Sequence, residues 1–232
     1  MTRSRGMDAL VTDGVLLAHE AQLQLADRHG DHDRWDVDLA AGEFRFTGEQ
    51  PATYPVQFLG SAAPGPRSWL WAWANPTQFG AGVLGAAEAT LAFGRDHDVP
   101  ELTTAEVSFD DHPTDAEPEP GYDLGWCLSI AARLASGSWF GYSGEVGGGT
   151  RAWMLLGGMR FSAPDVVRTT RVLGEGFAAT TVSDHRRAVT SWATLRQVPF
   201  DGRQLVLPDG VVTVTFDELD RLTAVEGTAG GS

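Results

Sequence analysis

The segment Arg67-Ser-Trp-Leu-Trp-Ala-Trp-Ala-Asn-Pro76 places three of the chain's eight tryptophans at alternate positions. Successive side chains of an extended chain point to opposite faces of a sheet, so this spacing predicts a strand with an aromatic face formed by Trp69, Trp71 and Trp73. The opposite face carries only leucine and alanine and can receive a closely packed helix. Because proline cannot donate to a strand ladder, we expect the strand to end at Asn75-Pro76.

Hydrophobic periodicity in the first two thirds of the chain predicts helices and antiparallel strands. The helical period occurs over residues 8–28, 83–94 and 124–134, and the alternation typical of strands over 35–39, 43–47, 53–61, 101–109, 138–142 and 151–156. Short, turn-rich connections favour antiparallel pairing. We therefore predict an α+β fold, with an antiparallel sheet that has the tryptophan strand at its centre and helices packed on one face.

The pattern changes near residue 162. Two helical segments follow, the first opened by Pro164-Asp165 and the second capped by Ser183 or Asp184. Three strands come next, over 204–207, 211–216 and 222–225. The sequence thus predicts a Trp-rich α+β domain over 7–161 and a smaller α-α-β-β-β unit over 162–226, with disordered ends at 1–6 and 227–232.

Composition and charge exclude several classes of protein. The net charge is −14 and all 17 basic residues are arginine. An acidic surface repels phosphate backbones, so we expect no nucleic-acid binding, and the absence of lysine excludes a lysine Schiff base. No apolar segment reaches the length of a membrane span and no signal core follows the basic start, so we expect a soluble cytoplasmic protein without a membrane partner. The single cysteine, Cys127, lies in an apolar helical pattern and is expected to pack in the core.

The tryptophan segment resembles the signature of an uncharacterised bacterial domain family of unknown function. Val56-Gln-Phe-Leu-Gly-Ser61 before the motif and Gly94-Arg-Asp-His-Asp-Val-Pro-Glu-Leu-Thr103 after it are also similar to that family. The resemblance covers residues 35–142 and departs at 77–87, where glycines replace a polar helix start. It implies domain limits, and it brings no activity, cofactor or site residue.

A glycine-rich segment imitates a dinucleotide-binding loop. Gly80-Ala-Gly-Val-Leu-Gly85 matches the G-x-G-x-x-G pattern and precedes a helix. However, several residues separate it from the strand, and that strand is rich in tryptophan where a parallel sheet requires a β-branched run. We interpret these glycines as helix entry and close packing, and we predict no cofactor.

Two histidines and their neighbours have the chemistry of metal ligands. His29 and His32 are flanked by three aspartates, at positions 27, 31 and 33. One short loop cannot easily aim all these side chains at one point, and no second cluster is available to complete the shell. We interpret the segment as a solvated loop and predict no metal site. The acidic, proline-containing stretch over 110–120 is interpreted in the same way.

No catalytic arrangement is evident. There is no Gly-x-Ser-x-Gly elbow, Ser143 has no identified base, and His185 is interpreted as a helix-terminus residue.

The aromatic face of the tryptophan strand either fills a core or lines a groove. The leading hypothesis is a non-catalytic binding or protein-interaction module. It would hold a small molecule or protein segment in a groove on Trp69, Trp71 and Trp73, with Asn75 at the mouth. The alternatives are an enzyme whose acidic and histidine residues converge only in three dimensions, and an acidic decoy for a basic partner. No oligomeric state is predicted.

Overall fold

The computed structural model describes residues 3–30, 32, 34–111, 121–178, 180 and 182–230. Helices and antiparallel strands occur together throughout, which confirms the predicted α+β class. The chain forms two compact units. Unit 1 consists of Met1–Asp8 and Ala21–Met159, and unit 2 of Ala9–Glu20 and Arg160–Ser232. The predicted domain limits did not include the placement of residues 9–20 with the carboxy-terminal residues. Most of the predicted acidic loop, residues 112–120, lies outside the described residues.

The elements up to residue 156 are four helices and seven strands among the described residues. The helices are α1 (Arg5–His29), α2 (Ala81–Asp96), α3 (Pro100–Thr103) and α4 (Tyr122–Ser136). The strands are β1 (Arg34–Asp38), β2 (Glu43–Thr47), β3 (Ala52–Ala63), β4 (Ser68–Trp71), β5 (Glu106–Ser108), β6 (Gly141–Gly147) and β7 (Thr150–Leu156). Ser4 caps α1, because its hydroxyl accepts from the N–H of Met7 at 3.1 Å.

Strand β3 is the hub of the sheet in unit 1. It pairs antiparallel with β2 through residues 52–55, with β7 through 56–62 and with β4 through 60–63. β1, β6 and β5 extend the sheet beyond β2, β7 and β4 respectively. The tryptophan strand β4 therefore lies between β3 and the short β5, and it is not the central strand that we expected.

The sheet curls until β1 faces β6, two strands that do not pair. The ring of Trp35 on β1 lies 5.5 Å from that of Tyr142 on β6, measured between centroids. It also lies directly over the backbone of Gly144, where a Cβ atom would overlap the indole. A glycine at this position thus lets β1 and β6 approach each other.

The tryptophan strand is shorter than predicted. It ends at Trp71, and a 3₁₀ helix over Ala72–Ala74 replaces its second half. The neighbouring strand β5 is also shorter than predicted: it has three residues, because Pro100 opens helix α3 where the pattern predicted a strand from residue 101. On its other side β4 pairs with β3, which continues to Ala52, so the length of that partner does not set the end of β4.

Helices cover one face of the sheet, as predicted. α2 packs against β3 and α4, and α4 also contacts β3 and β7. The side chain of Gln57 on β3 holds the first turn of α2, since it donates to Gly82 O at 2.6 Å and accepts from the N–H of Ala86 at 3.0 Å. The glycines that imitate a dinucleotide loop therefore lie at a helix entry fixed by a protein side chain.

Unit 2 contains residues 9–20 of α1 and the predicted α-α-β-β-β arrangement. Its further elements are α5 (Val166–Glu175), α6 (His185–Arg196), β8 (Gln204–Leu207), β9 (Gly210–Phe216) and β10 (Leu222–Ala229). The three strands form an antiparallel meander, and α5 packs on β9 and β10.

Regular elements extend close to both ends of the described residues. α1 starts at Arg5, and β10 continues through Ala229 because it pairs with β9 as far as Gly210. The expectation of disorder at residues 1–6 and 227–232 stays a prediction. No helix among the described residues is long and apolar enough to cross a membrane.

Candidate functional site

The rings of Trp69 and Trp71 lie in the core of unit 1 and expose no surface. They contact each other edge to face, with centroids 5.2 Å apart. Gly60 on β3 makes room for Trp69, since a Cβ atom there would come within 2.7 Å of the indole. The indole N–H of Trp71 donates to the carbonyl of Glu101 at 3.0 Å. These two tryptophans fill the core between the sheet and the helices.

The other two residues of the predicted groove lie in the turn that follows the strand. Trp73 belongs to the 3₁₀ helix and is half-buried. The side chain of Asn75 accepts from the N–H of Thr77 at 2.9 Å, which makes it part of a local turn. The structure therefore does not bring the four predicted residues together on one open face.

Polar aromatic side chains converge elsewhere in unit 1, in a group that we call the histidine–tyrosine cluster: His29, His32, Tyr54 and Tyr142. His29 Nε2 lies 2.7 Å from the hydroxyl of Tyr54, and His32 Nε2 lies 3.3 Å from that of Tyr142. The histidines come from the end of α1 and the turn after it, and the tyrosines from β3 and β6. The cluster thus joins the end of a helix to two strands that do not pair with each other.

The floor of the cluster is apolar and aromatic. Phe46 on β2 is buried, and His29 stacks on it with centroids 4.5 Å apart and planes at 17°. Phe44 packs beside Phe46 and stacks on Trp35 in turn, at 5.8 Å. Tyr142 lies 5.4 Å from Phe46 and closes the group. This packing fixes the rings, so the imidazole and phenol groups hold defined positions.

The hydrogen bonds assign the tautomer of His32 in its neutral form. Its Nδ1 lies 2.6 Å from the carbonyl oxygen of His29, and a carbonyl can only accept, so Nδ1 carries the proton. Nε2 then accepts, and the hydroxyl of Tyr142 donates to it. Burial raises the pKa of Tyr142 above its ordinary value, although Arg151 has the opposite effect. The raised pKa keeps the phenol protonated, as this hydrogen bond requires.

The pKa of His29 is lowered from its ordinary value. The main cause is desolvation in the aromatic packing, and the positive charges of Arg28 and of protonated His32 act in the same direction. His29 is therefore a neutral imidazole at pH 7.

A small cleft of about 100 Å³ opens beside the cluster. It is lined by Asp27, Arg28, His29, Gly30, His32, Glu49 and Gln50. Polar groups that converge in a partly enclosed space can orient a small polar ligand. The carboxylates, amide, guanidinium and imidazoles of this cleft can bind a polar group, and the imidazoles can also exchange protons.

The interpretation of the histidine segment as a solvated loop is wrong for His29 and His32, because both rings are half-buried in the cluster. Tyr54 and Tyr142, two of the chain's three tyrosines, bind these histidines, and nothing in the spacing of the four residues along the sequence reveals the contact. Among the described residues, no group of three His, Cys, Asp or Glu side chains is placed to hold a metal ion. Asp31 and Asp33 lie outside the described residues.

Unit 2 has a shallower cleft, of about 360 Å³, in which charges of opposite sign neutralise each other. It is lined by Asp13, Asp184, Arg186, Arg187, Thr190, Ser191 and Asp220. Arg187 binds Asp13 through two contacts of 2.6 Å, and Arg186 binds Asp220 at 2.5 Å. Both guanidinium groups are thus occupied by carboxylates, and the cleft offers a ligand little uncompensated charge.

The fold and the cluster together define a class of protein: an α+β domain with a curled antiparallel sheet and a polar cleft at the end of its first helix. The chain belongs to a family of unknown function, DUF6882, whose model matches residues 8–159. The predicted membership of an uncharacterised domain family is thereby confirmed. No curated protein and no solved structure matches the chain.

Proposed function

We propose that the chain is a non-catalytic binding module. It holds a small polar molecule or a polar protein segment in the cleft beside the histidine–tyrosine cluster, which we call the histidine–tyrosine cleft. The convergence of His29, His32, Tyr54 and Tyr142 beside this cleft carries the proposal. Four polar aromatic groups from separate elements, fixed over an aromatic floor, provide orientation and contact area together.

The cleft supports this proposal better than the tryptophan strand does. A groove on Trp69 and Trp71 requires both rings to leave the core, because neither has exposed surface. Opening that core costs about 3 kcal/mol or more per ring by comparison with large-to-small substitutions. The cleft requires no such rearrangement, since its lining residues Glu49 and Gln50 are already exposed.

Native mass spectrometry of the purified protein tests this proposal by identifying the small molecules and proteins that accompany it. Glu49→Ala and Gln50→Ala alter the cleft without touching its aromatic floor, and each is expected to reduce the bound fraction. Glu88→Ala, an exposed change on α2, is the matched control and should leave that fraction unchanged. Equal retention of a bound species by all three variants would contradict the cleft as the binding site.

An acidic decoy for a basic partner is the second candidate, because the charge is unevenly distributed. Unit 1 has 20 acidic residues and 9 arginines, whereas unit 2 has 11 and 8, so unit 1 carries −11 of the net charge of −14. A surface of this kind attracts basic proteins through long-range fields that salt screens. A basic protein that co-purifies in low salt and dissociates at high salt from all cleft variants alike would favour this candidate.

A further inference from the structure

The last turn of α1 is joined to the curled sheet of unit 1 through histidine–tyrosine hydrogen bonds. His29 reaches Tyr54 on β3, and His32 reaches Tyr142 on β6. The two histidines are also linked, since His32 Nδ1 donates to the carbonyl of His29. Displacement of His29 therefore also removes the acceptor that orients His32.

The surroundings of His29 offer no acceptor for a proton on Nδ1 among the described residues. Its Nε2 is occupied by the Tyr54 hydroxyl, while its Nδ1 is buried and has no hydrogen-bond partner among the described residues. A protonated imidazole donates from both nitrogens, so the protonated ring would bury an N–H group without an acceptor. That loss costs about 1–3 kcal/mol, and the penalty is larger for a charged group.

Among the residues that the structure describes, few charges near His29 favour its protonation. From α1 itself, Arg28 opposes it and Asp27 lines the same cleft. His32 opposes it from the following turn, and Glu49 faces the cleft from the connection between β2 and β3. β2 contributes the uncharged ring of Phe46, while β3 and β6 contribute the phenols of Tyr54 and Tyr142.

We propose that protonation of His29 releases the last turn of α1 from the curled sheet and so opens the histidine–tyrosine cleft at acidic pH. The protonated ring leaves its stack on Phe46 to reach solvent, and the bond between His32 and the His29 carbonyl breaks with it. Residues 27–30 and 32, which form one wall of the cleft, move together. The inference rests on the proposed function only for its effect on binding, because the release itself needs no ligand.

The lowered pKa of His29 sets the pH window. The released histidine has its ordinary pKa of about 6.5, and the docked one has a lower pKa, so release takes up a proton between these two values. The docked state is fully favoured above about pH 6.5 and is progressively lost below it. Across the window, the equilibrium constant for release rises by up to about tenfold per pH unit for one coupled proton.

Amide hydrogen exchange of the ligand-free protein, followed by NMR between pH 7.5 and 5, tests the release. The N–H of Gly30 bonds to the carbonyl of Ala26 at 2.7 Å and reports on the last turn. After correction for the intrinsic exchange rate, its protection should fall by up to about tenfold per pH unit below pH 6.5. Unchanged protection over this range would overturn the proposal.

His29→Phe keeps an aromatic ring against Phe46 and removes the titration. Its Gly30 protection should stay constant with pH, whereas His97→Phe, at an exposed histidine of the same unit, should retain the wild-type response. A full pH response in His29→Phe would assign the effect to another group and refute the inference.

Ring resonances of the wild-type protein provide a second readout if His29→Phe does not fold. The signals of His29, Tyr54 and Phe46 should change with one common midpoint below pH 6.5, and titration of His29 without any change in the other two would refute release. Because this experiment uses the ligand-free protein, its result does not depend on whether the cleft binds a ligand. If the cleft binds a ligand but the amide protection of Gly30 does not change with pH, the proposed release is wrong and the proposed binding function stands.

Discussion

The indole of Trp35 lies against the backbone of Gly144, so closely that a Cβ atom at Gly144 would overlap the ring. These residues belong to β1 and β6, two terminal strands of the curled sheet that share no ladder. Trp35 also stacks on Phe44, with the two ring planes at 4°, and this stacking holds the indole in position. Closure of the curl therefore depends on the absence of a side chain at one position.

Gly144→Ala should destabilise unit 1 by about 1–3 kcal/mol, because the new methyl group must displace Trp35 from its stack. Thermal unfolding followed by near-ultraviolet circular dichroism, which reports on tryptophan packing, measures the change. Gly82→Ala is the matched control, since nothing lies within 4 Å of a Cβ atom there. That change should stabilise α2 by at most about 1 kcal/mol. Equal effects of the two substitutions would refute the role assigned to Gly144.

Removal of the negative charge of Glu20 should strongly destabilise unit 2. The carboxylate is fully buried, accepts from the indole N–H of Trp192 at 2.9 Å and lies 3.2 Å from Arg196 Nε. Glu20→Gln preserves an acceptor for Trp192 but leaves the largely buried guanidinium without its counter-charge. Loss of one partner of such a pair costs about 3–5 kcal/mol. Urea denaturation monitored by far-ultraviolet circular dichroism gives the difference.

The double variant Glu20→Leu, Arg196→Met separates the charge effect from lost packing. Replacement of both members of a buried ion pair by apolar residues of similar size is often neutral or stabilising, by about 1–4 kcal/mol. We therefore expect the double variant to be more stable than Glu20→Gln in the same denaturation experiment. A double variant that is less stable than the single one would show that Arg196 contributes mainly through other contacts, such as its packing over Phe161.

Local pattern predicted most of the elements but not the contacts that build the candidate site. The β1–β2 hairpin, the helices α2 and α4 and the carboxy-terminal meander follow from periodicity and turn residues, because these signals act within a few positions. The His29–Tyr54 and His32–Tyr142 contacts join positions 25 and 110 residues apart. Such pairs depend on how the sheet curls, and no local signal encodes that.

Two further features show the same limit. The helical pattern over 124–134 predicted an apolar helix, yet Arg133 is buried within it, 5.1 Å above the ring of Trp126. Burial lowers the pKa of this arginine to about 9, and Gly141 on β6 leaves space for its guanidinium. Trp73 lies in a 3₁₀ helix that follows β4, although the alternating tryptophans predicted a strand through this position.

Unit 2 should lose stability as the pH falls below about 6.5, and His19 should be a cause. Burial lowers the pKa of His19, with Arg171 acting in the same direction and Glu175 partly opposing it. The unfolded chain then binds more protons than the folded one between the two pKa values, so the free energy of unfolding decreases as pH falls. Melting temperatures at pH 7.5 and 5.5 should differ less in His19→Gln than in the wild type.

The exposed His97 of unit 1 provides the control for that measurement, because His97→Gln should leave the pH dependence unchanged. Two carboxylates of unit 2, Asp201 and Asp217, do not interfere in this range. The pKa values of Asp201 and Asp217 are lowered, mainly by hydrogen bonds from the N–H of Gln204 and from the Arg221 side chain, so their contributions are lost only below about pH 3.8. An identical pH dependence of His19→Gln and wild type would exclude His19 as a source of the acid sensitivity.

Trp71→Ala should act on folding. The ring has no exposed surface, and its N–H is the donor to the Glu101 carbonyl. The substitution leaves a large cavity and an unpaired acceptor, and Trp→Ala changes in cores cost about 3–5 kcal/mol. We expect a large fall in melting temperature and a collapsed near-ultraviolet spectrum. Trp73→Ala, at the half-buried third ring, should cost clearly less. If Trp71→Ala instead kept the wild-type melting temperature and lost a bound ligand, the ring would belong to a binding groove after all.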